Sequence, residues 1–285
     1  MTRQKFLILG SNGQLGKQFR KELAARGEDV IAPEEKDCDI TKYDVLARYV
    51  ETLGPTVVIN CAAYNAVEQA EQQSDLAHLI NGKAVENIAT LCGRDRIFFV
   101  HYSTDYVFDG KKGELYTEDD APGPLNVYGK SKLAGEDAVQ KHAVEFLLFR
   151  TSWVFGDGPQ NFIYKFRQWS QKSHVIKLSA DEVSVPTSSA DLVSVTLASL
   201  EKGLRGLYHL TNSDYASRYE LGRHVAKTLS MNNLIIPVPM STFPSSLQRP
   251  AFTAMSNARL QNQLGMPIRD WRSAVEQFFQ EYPPR

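Results

Sequence analysis

The chain has 285 residues, and its 32 Lys+Arg against 33 Asp+Glu leave a formal net charge of −1. That balance argues against a polyanion-binding face, which goes with an excess of Lys and Arg, and 42% hydrophobic with 23% charged residues excludes a disordered chain. The longest apolar runs, such as residues 6–9 and 146–149, reach only strand length, too short to span a bilayer.

Residues 1–5 lead straight into a strand with no apolar stretch of signal-peptide length, so a cytoplasmic protein is expected. In chain order, residues 6–9, 30–32, 57–60, 97–101 and 146–150 read as buried strands, being nearly continuous in aliphatic and β-branched residues. Between them residues 15–26, 44–53, 76–91 and 128–142 repeat apolar positions every three or four, as helices do. Strand alternating with helix predicts an α/β fold, a Rossmann-like doubly wound parallel sheet. After residue 150 the alternation loosens into helices over 161–170, 189–200, 218–229 and 271–279, with short strands near 175–178, 206–210 and 235–238. A dinucleotide-binding domain is thus expected over 1–150 plus about 186–212, and a smaller C-terminal substrate-binding lobe over 151–185 and 213–285. Cys38, Cys61 and Cys92 are odd in number and widely spaced, which predicts reduced structural thiols and no disulfide or metal framework. The histidines, His101 and His209 among them, have no second ligand at metal spacing and read as core or helix residues.

Directly after the first strand stands Gly10-Ser11-Asn12-Gly13-Gln14-Leu15-Gly16, opening a helix. A glycine turn there lets the backbone approach a pyrophosphate, and the N-terminus of the helix favours its negative charge. The bland reading is a tight strand-to-helix turn that needs positive φ, but strand before and helix after favour a dinucleotide. The second strand ends at Ile31-Ala32-Pro33 with no acid for the adenosine ribose hydroxyls. With Lys36 near, this leans to NADP(H), with NAD(H) possible. Asp39 and Ile40 are expected beside the adenine, with a cap for the helix at Tyr43 as the equal alternative for Asp39.

Tyr128 and Lys132 stand at i and i+4 on one helical face. A free tyrosine titrates near pH 10, and an adjacent cation brings the phenol toward the working range. Ser103 and Thr104 close the fourth strand, where hydroxyls face the crevice of a doubly wound sheet. A Tyr-x-x-x-Lys string alone is equally an amphipathic surface helix, so the order of glycine turn, strand-end hydroxyls and Tyr-Lys carries the specificity.

With these motifs the chain resembles the extended short-chain dehydrogenase/reductases and is similar, within them, to the dTDP-4-dehydrorhamnose reductases. The resemblance rests on Gly10 to Gly16, Asn60-Cys61-Ala62-Ala63-Tyr64, Ser103-Thr104-Asp105-Tyr106-Val107-Phe108, Tyr128 to Glu136, Arg150-Thr151-Ser152-Trp153-Val154, Asn161-Phe162, Pro186-Thr187 and Arg249-Pro250, nearly the whole chain. It implies hydride transfer from a reduced nicotinamide to the C4 ketone of a dTDP-4-keto-6-deoxyhexose, giving dTDP-L-rhamnose for cell-surface polysaccharide. Tyr128 would give the proton, Lys132 would lower its pKa and hold the ribose, and Thr104 would hydrogen-bond the reacting oxygen. Gly10, Asn12, Gly13, Gln14, Leu15, Gly16, Asp39, Ile40, Ala62, Ala63, Tyr64 and Ser103 would join Tyr128 and Lys132 around the cofactor. Asn65, Asp105, Tyr106, Trp153, Asn161 and Arg249 would join Thr104 around the sugar nucleotide. An indole offers a flat wall and a guanidinium pairs with diphosphate. For each of these the plainer readings are a core tryptophan, a surface arginine and satisfied loop polar groups.

Asn65 and Glu68 stand where relatives carry Thr and Asp, and residues 180–187 lack a glycine common before Pro-Thr. Gln18 replaces a glutamate that in some members holds a dimer-bridging metal, so no metal is expected there and the protein is read as a monomer or homodimer. The rivals are another nucleotide-sugar reductase or an epimerase of the same superfamily, a 4,6-dehydratase, which would need a glutamate at Tyr106, and a non-catalytic subunit like the regulatory subunit of methionine adenosyltransferase. The partner expected is a small nucleotide sugar, with no nucleic acid and no membrane.

Overall fold

A computed structural model describes residues 4–283, so the reading of residues 1–3 as lacking a leader lies outside the described residues. The first half runs β1 (Lys5–Leu9), α1 (Gln14–Ala25), β2 (Asp29–Ile31), α2 (Tyr43–Leu53), β3 (Val57–Asn60), two short helices α3 (Val67–Ala70) and α4 (Ser74–His78), α5 (Ala84–Arg94), β4 (Phe98–Thr104), α6 (Val127–His142) and β5 (Phe146–Thr151). The second half runs β6 (Val154–Phe155), α7 (Phe162–Lys172), β7 (Val175–Ser179), β8 (Val183–Ser184), β9 (Thr187–Ser188), α8 (Ser189–Glu201), β10 (Gly206–His209), β11 (Ala216–Ser217), α9 (Arg218–Thr228), β12 (Leu234–Val238), α10 (Ala258–Leu264) and α11 (Trp271–Glu281).

The central sheet has the order β2-β1-β3-β4-β5-β10, and all its pairings are parallel. Side chains of β1 alternate across it: Phe6 and Ile8 meet α1 and α8, while Leu7 and Leu9 meet α2 and α5. Both faces are covered, as a Rossmann-like doubly wound sheet requires. The chain runs outward one way from β1 to β2 and the other way from β3 onward. The carboxyl ends of β1 and β3 therefore flank the switch point, where such sheets bind ligands. The late strand β10 inserts beside β5, register Tyr208 to Phe149.

A separate core of Phe155, Phe166, Leu178, Leu221, Val225, Trp271 and Val275 lies under the parallel pair β7-β12. The expected helix over 76–91 is three pieces: α4, a π-helical stretch Leu79–Lys83, and α5. Asn81 explains the bulge. Its side chain accepts from Tyr64 N at 2.8 Å and donates to Tyr64 O at 3.1 Å and Ser131 Oγ at 3.0 Å, a geometry a regular helix would not aim. The loop after β3 is thereby clamped at the switch point.

Cys38, Cys61 and Cys92 are free thiols whose pKa values burial raises. No described helix is long and apolar enough to cross a membrane.

Candidate active site

Gly10 leaves β1 with φ +72°, and a Cβ there would come within 2.5 Å of Ala62 N. At Gly16 a Cβ would come within 2.4 Å of Gly10 O. These two glycines let the turn press against the clamped loop after β3. Helix α1 then begins at Gln14 with Gly13 as its N-cap and no side-chain cap, which leaves its first N–H groups for an anion. Asn12 is exposed on the turn, and Ser11 Oγ donates to Pro33 O at 2.7 Å, tying the turn to the end of β2.

Asp39 does not cap α2, whose N-cap is Lys42 without a side-chain bond. Its carboxylate accepts from Thr41 Oγ1 at 2.7 Å and Thr41 N at 2.9 Å, bonds that lower its pKa. Ile40 is buried beside Leu9 and Cys38, and Lys36 pairs with Glu34 at 2.9 Å.

A cavity of about 280 Å³ opens at the switch point and is lined by Gly13, Gln14, Leu15, Ala62, Ala63, Asn65, Ser103, Thr104, Asp105, Tyr128, Lys132 and Trp153. Gly10, Asn12, Gly16, Asp39, Ile40 and Tyr64 lie outside that lining. Tyr64 instead places its hydroxyl on Gln73 Oε1 at 3.0 Å.

Helix α6 reaches the cavity because Gly129 packs directly on the 3-10 turn that follows β4: a Cβ there would lie 2.3 Å from Tyr106 O. Its cap, Asn126, accepts from Gly129 N at 2.9 Å and donates to Gln248 O at 3.0 Å. Tyr128 and Lys132 share the cavity as expected, but their electrostatics differ from the expectation. Burial raises Tyr128 to about 12, opposed by a hydrogen bond with Thr104, and lowers Lys132 to about 8. Lys132 Nζ donates to Tyr102 O at 2.5 Å, while the Tyr128 hydroxyl donates to Asn65 Oδ1 at 3.4 Å. The ammonium serves a carbonyl on β4, so desolvation alone dominates the phenol.

Two buried hydroxyls on this lining, Ser103 Oγ and Thr151 Oγ1, have no hydrogen-bond partner among the described residues. Unpaired buried polar atoms are costly, and these two fit a polar ligand group seated between β4 and β5. Together with the uncapped helix and the glycine turn they fit a nicotinamide dinucleotide. Nothing in the spacing singles out Thr151, which becomes visible only through its pairing with Thr104 across β4 and β5.

A larger cavity of about 740 Å³ adjoins the first, sharing Asn65 and Trp153, and contains Asn161, Glu182, Arg218 and Arg249. Trp153 holds φ +41°, a left-handed conformation that is strained for an indole residue. Arg249 Nη1 donates to Tyr106 Oη at 2.9 Å, and its Nη2 pairs with Glu68. Asn161 lines this cavity and is also tied into the scaffold. Its amide nitrogen donates to Gln14 Oε1 at 2.8 Å, Gly156 O at 2.9 Å and Gly158 O at 3.0 Å, and its oxygen caps α7. Asp105 is likewise enclosed by hydroxyls, and the Tyr106 ring packs edge-on to Tyr128, 5.9 Å between centroids. Sequence reasoning missed Arg218 and Glu182. The one local signal is the capping box of Ser217 and Glu220, which marks the start of α9 and hence of Arg218.

A family model described as the RmlD substrate binding domain matches residues 4–283. The dTDP-4-dehydrorhamnose reductase of Burkholderia thailandensis is 36% identical, over 95% of this chain and 96% of that protein. The chain belongs to the dTDP-4-dehydrorhamnose reductase family. Members are NAD(P)H-dependent oxidoreductases. A crystal structure of the dTDP-4-dehydrorhamnose reductase of Bacillus anthracis, in complex with NADP, superposes with a TM-score of 0.95 at 32% identity, covering 98% of this chain and 100% of that one. The dTDP-4-keto-6-deoxy-D-glucose reductase of Streptomyces niveus is 32% identical over 96% of each chain.

Proposed function

We propose that the protein reduces the C4 ketone of dTDP-4-dehydro-L-rhamnose to give dTDP-L-rhamnose, with NADPH or NADH as reductant. The observation that carries the reading is convergence: Thr104, Tyr128 and Lys132 line one cavity with Gly13, Gln14 and Leu15 at the free end of α1. The NADP complex of the Bacillus anthracis relative supports NADP as a cofactor. The absence of an acid at Ile31-Ala32-Pro33 favours NADP(H) over NAD(H).

The end of α1 and its glycine turn would hold the pyrophosphate, Lys132 the nicotinamide ribose, and Ser103 with Thr151 the polar edge beyond it. When bound, the reduced nicotinamide supplies the hydride. Tyr128, protonated across the neutral range, is the acid that meets the developing alkoxide. Thr104 stands beside it at the end of β4. Trp153, Arg218 and Arg249 form the wall and cationic rim for the sugar and its diphosphate. We read the protein as cytoplasmic, a monomer or homodimer.

Stoichiometric oxidation of NADPH by enzymatically prepared dTDP-4-dehydro-L-rhamnose, with the product configuration read by NMR, tests the reading. An epimeric product without net oxidation would establish an epimerase. Nucleotide binding without reduction of any 4-keto sugar nucleotide would establish a regulatory subunit.

A further inference from the structure

A hydrogen bond between Gln14 and Asn161 joins the two cavities. Gln14 lines the smaller cavity at the free end of α1, and Asn161 lines the larger one at the start of α7. Asn161 Oδ1 accepts from Tyr164 N at 3.0 Å, which fixes the amide so that Nδ2 donates to Gln14 Oε1 at 2.8 Å, Gly156 O at 2.9 Å and Gly158 O at 3.0 Å. Gln14 thus presents its oxygen to Asn161. Its amide nitrogen, with two protons to give, meets no acceptor among the described residues, and the residue lines the cavity that the pyrophosphate would enter.

The two protons of Asn161 Nδ2 are shared among three oxygens. Gly156 and Gly158 lie five and three residues from Asn161, whereas Gln14 lies 147 residues away. The near carbonyls can take both protons if Gln14 swings off, so the joint has two arrangements of similar hydrogen-bond content. Gln14 also packs on this turn, since a Cβ on Gly156 would come within 3.4 Å of its amide carbon. Only the arrangement with Gln14 in place ties the start of α7 to the free end of α1. Phe162, Lys165 and Trp169 follow on α7 and line the larger cavity, and none of them lines the smaller.

We propose that Gln14 and Asn161 are positioning residues through which a bound dinucleotide orders the substrate cavity, resting on the reductase reading for the identity of the two ligands. A phosphate oxygen that accepts from Gln14 Nε2 holds this side chain in the bonded arrangement. The first ligand then bears the loss of freedom of the side chain and the turn, and the second finds α7 already set. Coupling of this kind is reciprocal, so the sugar nucleotide tightens the dinucleotide by the same factor. A single net hydrogen bond sets that factor at about 3–10-fold.

Hydrogen exchange read by mass spectrometry, with and without saturating NADP+, reports on the joint. In the wild type, peptides covering residues 162–169 are expected to exchange at least about threefold more slowly with NADP+. Gln14→Met keeps the length and removes both hydrogen-bonding ends; loaded with excess NADP+, its α7 should exchange as it does without. Asn161→Ser keeps a cap for α7, removes the amide and should behave alike. Calorimetric titration with dTDP, which lacks the reacting sugar, should give a Kd about 3–10-fold lower with NADP+ in the wild type, and within about 1.5-fold in both variants.

Slowing absent from the wild type, slowing that survives in either variant, no binding of dTDP, or a dTDP affinity indifferent to NADP+ in the wild type overturns the proposal. If Gln14→Met does not fold or load, Asn161→Ser decides by the same criteria. A protein that shows the coupling but reduces no 4-keto sugar nucleotide defeats the reductase reading and leaves the joint in place; turnover without coupling does the reverse.

Discussion

The guanidinium of Arg218 lies over the indole of Trp153, its carbon 3.4 Å from the ring centroid. Trp153 adopts φ +41° at this point, a conformation that costs on the order of 1–3 kcal/mol. A cation on an indole face contributes about 0.5–2 kcal/mol, more as water is excluded. Glu182 steadies the same guanidinium at 3.4 Å. The pair forms a cationic wall of the larger cavity, and Trp153 also lines the smaller one.

Replacing Arg218 by Lys keeps the charge and loses the plane. Initial rates are expected to show KM for the sugar nucleotide raised about 5–30-fold, matching the 1–2 kcal/mol of a partly desolvated stack, with kcat within about twofold. A fall in kcat with unchanged KM would move Arg218 from the wall to the reacting centre.

On the proposed reading, Glu68 would compete with the anionic substrate for Arg249. The carboxylate side chain is 65% exposed, and exposed pairs are weak, about 0.2–1 kcal/mol. Glu68→Gln should therefore lower KM only about twofold at low ionic strength, and the difference should fade as salt screens the pair. A higher KM in Glu68→Gln would show that Glu68 contacts the substrate favourably.

The three glycines of the turn separate folding from binding. Gly10→Ala and Gly16→Ala would drive a Cβ to 2.5 and 2.4 Å from backbone atoms, so both should lower Tm by several degrees or abolish soluble expression. At Gly13 the nearest atom is Gly10 O at 3.3 Å. Gly13→Ala should thus melt close to wild type yet bind NADPH at least about tenfold more weakly, as a methyl would stand where the pyrophosphate approaches. Thermal melts and nucleotide titration by fluorescence check both halves of the contrast.

Lys132 trades stability for chemistry in a pH-dependent way. Burial lowers its folded pKa from 10.5 to about 8. Between those values the unfolded chain binds more protons than the native one, so this group makes stability rise with pH from about 8 to 10.5. Below pH 8 both states are protonated and the full burial penalty applies, roughly 2–4 kcal/mol at about 1.4 kcal/mol per unit. Lys132→Met should therefore melt higher than wild type at pH 7 without nucleotide, with the gain shrinking toward pH 10, and should lose turnover. A gain that is constant across pH would point to packing instead of charge.

Backbone constraints and helical spacing make much of this site legible in the sequence. Gly10 and Gly16 stand out because no side chain fits, and Tyr128 and Lys132 because one turn of α6 separates them. Arg218 and Glu182 meet only after β11 pairs antiparallel with β8, and 36 residues of chain carry no spacing that announces it. Asn161 shows a different gap: its place in a familiar string gives no sign that its amide ties the start of α7 to Gln14. The pKa of Tyr128 was also out of reach, since an i+4 lysine reveals its presence but not the carbonyl of Tyr102 that holds its ammonium.

The position of β10 carries a lesson about inheritance. This strand, which completes the central sheet beside β5, is encoded after β6 to β9, α7 and α8. No single cut of the gene after β5 yields an intact sheet, and the second core is interleaved with it. On the proposed reading, new sugar specificities on this scaffold would therefore arise by remodelling loops in place, such as that bearing Arg249, because recombination of whole modules would break the sheet that every variant still needs.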